Sequence, residues 1–257
     1  MESFTAGATE KETKGKIVEF LWHLKKEGYS QKTIDVYGKR LLQLARSYDI
    51  LNPEEVKEFV ANKETWDSTT KLLTVEVYKA FASFANMPFK APRYQQQEKI
   101  PFIPLEQEIY ALIAGCSRKI ATILQLLKET GMRIGEAKSL EWINIDLERG
   151  IITLNNPEKN SKPRMFKISS KLTAMLNALP KAKDGPFRSN LTNLYRDFEI
   201  RRKSIASKLQ NPRIERRTFH TLRHWKATME YSKTKDILYV MQLLGHRNIK
   251  NFMMYVT

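Results

Sequence analysis

In the second part of this 257-residue chain apolar residues mostly recur at helical spacing, and one stretch there reads otherwise. The runs 151–154 (Ile-Ile-Thr-Leu) and 164–168 (Arg-Met-Phe-Lys-Ile) favour β structure. They flank a polar stretch, 155–163, that contains two prolines and has no apolar periodicity. One hairpin with a long loop, set among helices, limits the fold class to mainly α with a small β-hairpin or sheet (α+β).

Before the hairpin, four short amphipathic helices are legible. Ile17, Leu21 and Leu24 are closed by Gly28, and Ser30 reads as a cap for Ile34, Tyr37, Leu41 and Leu44. Asn52-Pro53-Glu54-Glu55 puts proline at the first helical position and acids in the first turn, and Asp67 heads a run with Leu72, Val75, Tyr78 and Phe81. Four such helices predict a small bundle. The prolines and polar run that follow lack a core face and read as a linker, with a boundary near Gln97. The chain therefore divides into a flexible polar N-terminus (1–12), a helical domain (13–86), a linker (87–101) and a second domain (102–257). In the second domain helices are expected at 105–115, 119–129, 172–179 and 191–209.

Charge separates the two halves. The chain carries a formal net charge of +16. Residues 1–100 hold 16 basic against 14 acidic side chains, and residues 101–257 hold 28 against 14, so the excess is concentrated in the second part. That suits a polyanionic partner, nucleic acid or an anionic membrane surface. The longest apolar stretches fall far short of a membrane span, and the N-terminus has no charged-then-apolar signal pattern. The single cysteine, Cys116, excludes an internal disulfide framework. A cytoplasmic protein acting on nucleic acid is the simplest expectation. Four histidines and one cysteine, without His-Glu-x-x-His or paired-cysteine spacing, predict no metal, and the lack of a Gly-rich phosphate loop predicts no ATP or other cofactor.

The C-terminal forty residues hold most of the chemistry. His220 and Arg223 are three apart and share a helical face, with Thr218 or Thr221 as a cap and Leu222, Trp225 and Met229 on the buried side. Residues 235–246 are an apolar helix that Gly245 can end with a left-handed cap, placing His246 at a sharp exit. A last short run carries Tyr255.

His220-x-x-Arg223, then Leu244-Gly245-His246, then Tyr255 nine residues on, resembles the C-terminal signature of the tyrosine recombinases, the integrase and Xer group. Thr130-Gly-Met-Arg133-Ile-Gly-Glu136 is similar to the first arginine box of that family, and 156–168 to its lysine-bearing hairpin. The resemblance covers residues 104–255 directly and the N-terminal part only by helix pattern. It implies a helical core-binding domain followed by a catalytic domain, double-stranded DNA as partner, and a homo-oligomer, a tetramer on DNA.

It also implies a site-specific recombinase that cleaves and rejoins DNA through a covalent 3′-phosphotyrosine, without metal or ATP. A tyrosine-class topoisomerase and a non-catalytic DNA-binding relative are the alternatives. Arg133 and Arg223 would clamp the phosphate and His246 would bond a nonbridging oxygen. A phenol has a reference pKa near 10, so Tyr255 must lose its proton as it attacks, and His220 would accept it. Lys159 would protonate the departing 5′ oxygen, with Lys162, three residues on, able to occupy the same space. Glu136 would orient the arginines. Lys32, Lys39, Arg40, Lys71, Lys162, Arg164, Arg201, Arg202, Lys203, Arg216 and Arg217 are the expected DNA contacts. The family continues past its tyrosine into a tail that packs on a neighbouring protomer, whereas this sequence stops at Thr257, so a truncated chain or assembly through another surface is expected. Attack by Tyr255 in its own site or in a neighbour's is left open by the sequence.

Overall fold

A computed structural model describes residues 2–95, 100–159, 161–181 and 184–245, with side chains from residue 12 onward. The chain divides into two compact units, residues 1–99 and 100–257. The described residues form eleven α-helices and a three-stranded antiparallel sheet.

The first unit holds α1 (Glu2–Lys26), α2 (Gln31–Ala45), α3 (Pro53–Asn62) and α4 (Ser68–Phe84). Helix α1 starts at Glu2 rather than near Lys14. Residues 2–13 contain no proline and mostly tolerant helix formers, so nothing in them stops the helix running backward. The expected caps form. The Ser30 hydroxyl accepts from the Thr33 N–H at 3.2 Å, and the Asp67 carboxylate accepts from that of Thr70 at 2.8 Å. Phe20, Leu41, Leu44, Val60 and Phe81 are buried between the helices, each of the order of 2 kcal/mol in apolar burial.

The segment after α4 is not loose along its described part. Met87, Phe89 and Tyr94 pack on this core, and Phe89 meets Tyr78 edge-on at 4.8 Å. The prolines do interrupt helical structure there, but the scattered aromatics between them still find apolar surface.

The second unit is built on α6 (Arg118–Thr130), which is buried on nearly every face from Ile120 to Leu127. It lies against α5 (Glu106–Gly115), α8 (Ser170–Asn177) and α10 (Phe219–Thr234). The short α7 (Ile134–Lys138) follows it. The hairpin is present as β2 (Ile151–Leu154) and β3 (Arg164–Lys167), in register Ile152↔Phe166 and Leu154↔Arg164, and β1 (Ile145–Asp146) adds a third strand. Ile152, Leu154 and Phe166 turn inward with the period of two a half-buried sheet requires. Helix α9 (Leu191–Lys208) and α11 (Ile237–Leu244) are the remaining α-helices among the described residues.

Candidate active site

Gly131 ends α6 in the left-handed conformation, φ 65°, and its N–H bonds the Leu127 carbonyl at 2.9 Å. The chain then turns sharply, so that Arg133 stands at the N-cap of α7. A cation at a helix N-terminus opposes the dipole, and Glu136 answers it. Its carboxylate, fully buried, accepts the Arg133 backbone N–H at 2.8 Å and the Arg133 Nη1 at 2.9 Å. It also accepts Arg164 Nη2 at 3.0 Å and the Glu158 N–H at 3.3 Å.

Arg164 lies on β3 and reaches the other way to the Leu244 carbonyl, Nη1 to O 2.6 Å. Arg223, from α10 and 1% exposed, places Nη2 on the same carbonyl at 2.6 Å and Nη1 on the Gly131 carbonyl at 2.8 Å. The last carbonyls of a helix have no partner within it and carry its negative dipole end. The C-terminus of α11 thus draws two guanidiniums together. Gly245 follows immediately with φ 69°. A Cβ there would overlap Arg164 Nη1 and sit 3.2 Å from the Ser161 Cβ, so position 245 needs glycine twice over.

Three guanidiniums thus gather around the Glu136 carboxylate. Burial works to raise the Glu136 pKa, but the Arg133 N–H and the cations of Arg164, Arg133 and Arg223 hold it below the usual carboxylate range. Such a cluster of cations favours an anion with several oxygens to share.

His220 stands one turn before Arg223 at the start of α10. Much of its side chain is accessible, yet the body of the domain behind it removes water, and the charges of Arg223, Arg133 and Lys159 add to that. Together they lower its pKa, so the ring is neutral at pH 7 and able to accept a proton. His224, perpendicular to it with ring centres 4.6 Å apart, is pushed down to about 4 by burial first and then by His220 and Arg223. The helix is capped locally, the Thr218 N–H donating to the Thr221 hydroxyl at 3.2 Å.

Lys159 is exposed on the hairpin loop in a left-handed conformation, φ 56°, and its charge bears on His220. The structure thus brings Arg133, Glu136, Lys159, His220 and Arg223 to one place. His246 and Tyr255 lie outside the described residues. Ser161 and the Leu244 carbonyl, which the arginines contact, carry no signal in the sequence, and His224, four residues from His220 on one helix face, reads there as a structural histidine.

The expected DNA contacts fare unevenly. Lys32, Lys39, Lys162, Arg201, Lys203 and Arg216 are exposed. Lys203 pairs with Glu199 at 2.8 Å, Arg40 lies 5.3 Å from the Trp66 ring, and Lys71 donates to the Ala61 carbonyl at 2.8 Å. Arg164 and Arg217 are corrected, because both are buried and committed within the protein. Arg217 pairs with Glu108 of α5 and lies 5.2 Å from the Phe102 ring, and Arg202 donates to the Arg217 carbonyl. Burial works to raise the Glu108 pKa, but the Leu105 N–H, Asn211 and the arginines 217 and 213 hold it low. A charge removed from water needs such a partner, which turns these two arginines from surface contacts into struts.

Residues 105–257 match the phage integrase family. The chain belongs to that family, the tyrosine recombinases. This recombinase is 27% identical over 211 residues to the tyrosine recombinase XerA of Saccharolobus solfataricus, spanning 80% of this chain and 69% of that protein. It is 25% identical over 256 residues to XerA of Thermococcus kodakarensis, spanning 93% and 89%. The Tn1549 transposon integrase, solved in complex with transposon right end DNA, has the same fold. It superposes with a TM-score of 0.71 at 16% identity over 94% of each chain. The recombinase has, among its described residues, no helix long and apolar enough to cross a membrane and no group of three His, Cys, Asp or Glu side chains placed to hold a metal.

Proposed function

We propose that this recombinase cleaves and rejoins double-stranded DNA at a specific site through a covalent 3′-phosphotyrosine formed by Tyr255, with neither metal nor ATP. The observation that carries the proposal is the gathering of the Arg133, Arg164 and Arg223 guanidiniums around Glu136. A phosphodiester repels nucleophiles with its own charge, and fixed cations at the phosphoryl oxygens lower that barrier without a metal. Tyr255 Oη bonds to phosphorus as the 5′ oxygen departs. The phenol proton passes to His220, which burial and the surrounding cations keep neutral. Lys159 gives a proton to the 5′ oxygen, and His246 bonds a nonbridging oxygen. One phosphodiester replaces another, so the bond energy is kept for rejoining and no nucleotide is consumed.

Lys32, Lys39, Arg201 and Lys203, all exposed, are the proposed phosphate contacts, with the first unit as the core-binding domain. Assembly on DNA as a homo-oligomer, a tetramer, follows from the family. The test is a nicked duplex carrying the recombination site, from which the short 5′-hydroxyl strand diffuses away after cleavage and traps the adduct. The unmodified protein gives a shifted protein–DNA band on a denaturing gel. Tyr255→Phe gives none while still binding the duplex. An adduct that persists in Tyr255→Phe rejects Tyr255 as the nucleophile.

A further inference from the structure

We propose that Ser161 is a positioning residue that seats the Lys159 loop on Arg133, tying the proton donor to the cation that holds the phosphate. This rests on the assignment of Lys159 as general acid. The Ser161 N–H donates to the Glu158 carbonyl at 3.3 Å, and Lys159 is left-handed, φ 56°. Glu158 and Ser161 both meet one atom. Arg133 Nη1 donates to the Ser161 hydroxyl at 2.8 Å and, more weakly, to the Glu158 carbonyl at 3.4 Å. A second anchor comes from the Glu158 N–H on the Glu136 carboxylate at 3.3 Å. Ser161 is 8% exposed, so its hydroxyl is shielded from competing water, and its Cβ faces Gly245.

An exposed lysine on a long loop samples many positions, and general acid catalysis requires it within hydrogen-bond reach of one oxygen. The Ser161 anchor restricts that sampling by making the loop register follow Arg133. Without it, the loop loses the stronger of its two contacts with Arg133 Nη1.

The test separates proton donation from every other defect. Cleavage is measured on the ordinary duplex and on one whose 5′-bridging oxygen at the scissile phosphate is sulfur. A thiolate leaves without needing a proton. Ser161→Ala is expected to cleave the ordinary duplex about 10- to 100-fold more slowly than the parent, the scale of a misplaced catalytic group, and to recover to within a few-fold of the parent on the sulfur duplex. Lys159→Ala is expected to fall further on the first and to recover likewise on the second. Equal slowing of Ser161→Ala on both substrates, or none on either, overturns the positioning role. If instead Lys159→Ala fails to recover on the sulfur duplex, the assignment of Lys159 itself falls. Thermal melting of Ser161→Ala within a few degrees of the parent shows that the fold is intact.

Discussion

Glu136→Gln tests the charge arrangement at its centre. Glu136 is fully buried and accepts four hydrogen bonds, two from Arg133, one from Arg164 and one from the Glu158 N–H. Glutamine keeps the shape but removes a buried carboxylate that lowers the energy of the neighbouring guanidiniums, and its amide group turns N–H donors toward other donors. Breaking a buried ion pair from one side costs about 3–5 kcal/mol. For a unit of this size each kcal/mol shifts the melting temperature by about 2–4 °C, so the variant should melt roughly 6–20 °C lower at pH 7.

The pH dependence gives the sign. The Glu136 pKa is lower in the folded state than in the unfolded one, so its stabilisation is fully present above about pH 4.5 and is lost as pH falls below that toward the folded value. The gap between parent and variant, followed by circular dichroism melts from pH 7 to pH 3.5, should therefore narrow only in the acid range. A variant within about 1 kcal/mol of the parent at pH 7, or a gap that stays constant on acidification, would refute the reasoning.

Strand cleavage should lose rate on acidification only below pH 6.5, because the lowered pKa of His220 keeps it a proton acceptor down to that range; single-turnover rates between pH 5 and 8 with an acid limb at or above 6.5 contradict this. Gly245→Ala should reduce cleavage at least about 100-fold, because the added methyl enters the space of Arg164 Nη1 at a backbone φ of 69°, and near-parental rates would show that the turn can shift. Arg217→Met should lower stability by about 1.5–3 kcal/mol through loss of one charged partner of the buried Glu108, which keeps Arg213 and Asn211, while the salt dependence of DNA binding is unchanged; Arg201→Ala should leave stability alone and reduce the salt slope by about one. A reduced salt slope for Arg217→Met would restore Arg217 to the DNA surface.

What the sequence determined about this protein is local. Gly131 and Gly245 stop their helices where their conformational freedom suggests, Ser30 and Asp67 cap, and the β-favouring runs pair as β2 and β3. Each depends on residues within a few positions of one another. The family was legible too, since residues 105–257 match the phage integrase family that the motif order resembles.

Only the tertiary structure decided which charges are working surface and which are struts. Arg164 and Arg217 read as two more cations in a basic chain, and nothing beside them announces that their partners lie 80 and 109 residues away, at Leu244 and Glu108. Likewise Ser161 is an unremarked loop residue until the fold lays its hydroxyl on Arg133, 28 positions earlier. A buried charge is defined by what the fold brings to it, and pairing across such separations leaves no periodicity for a sequence to display.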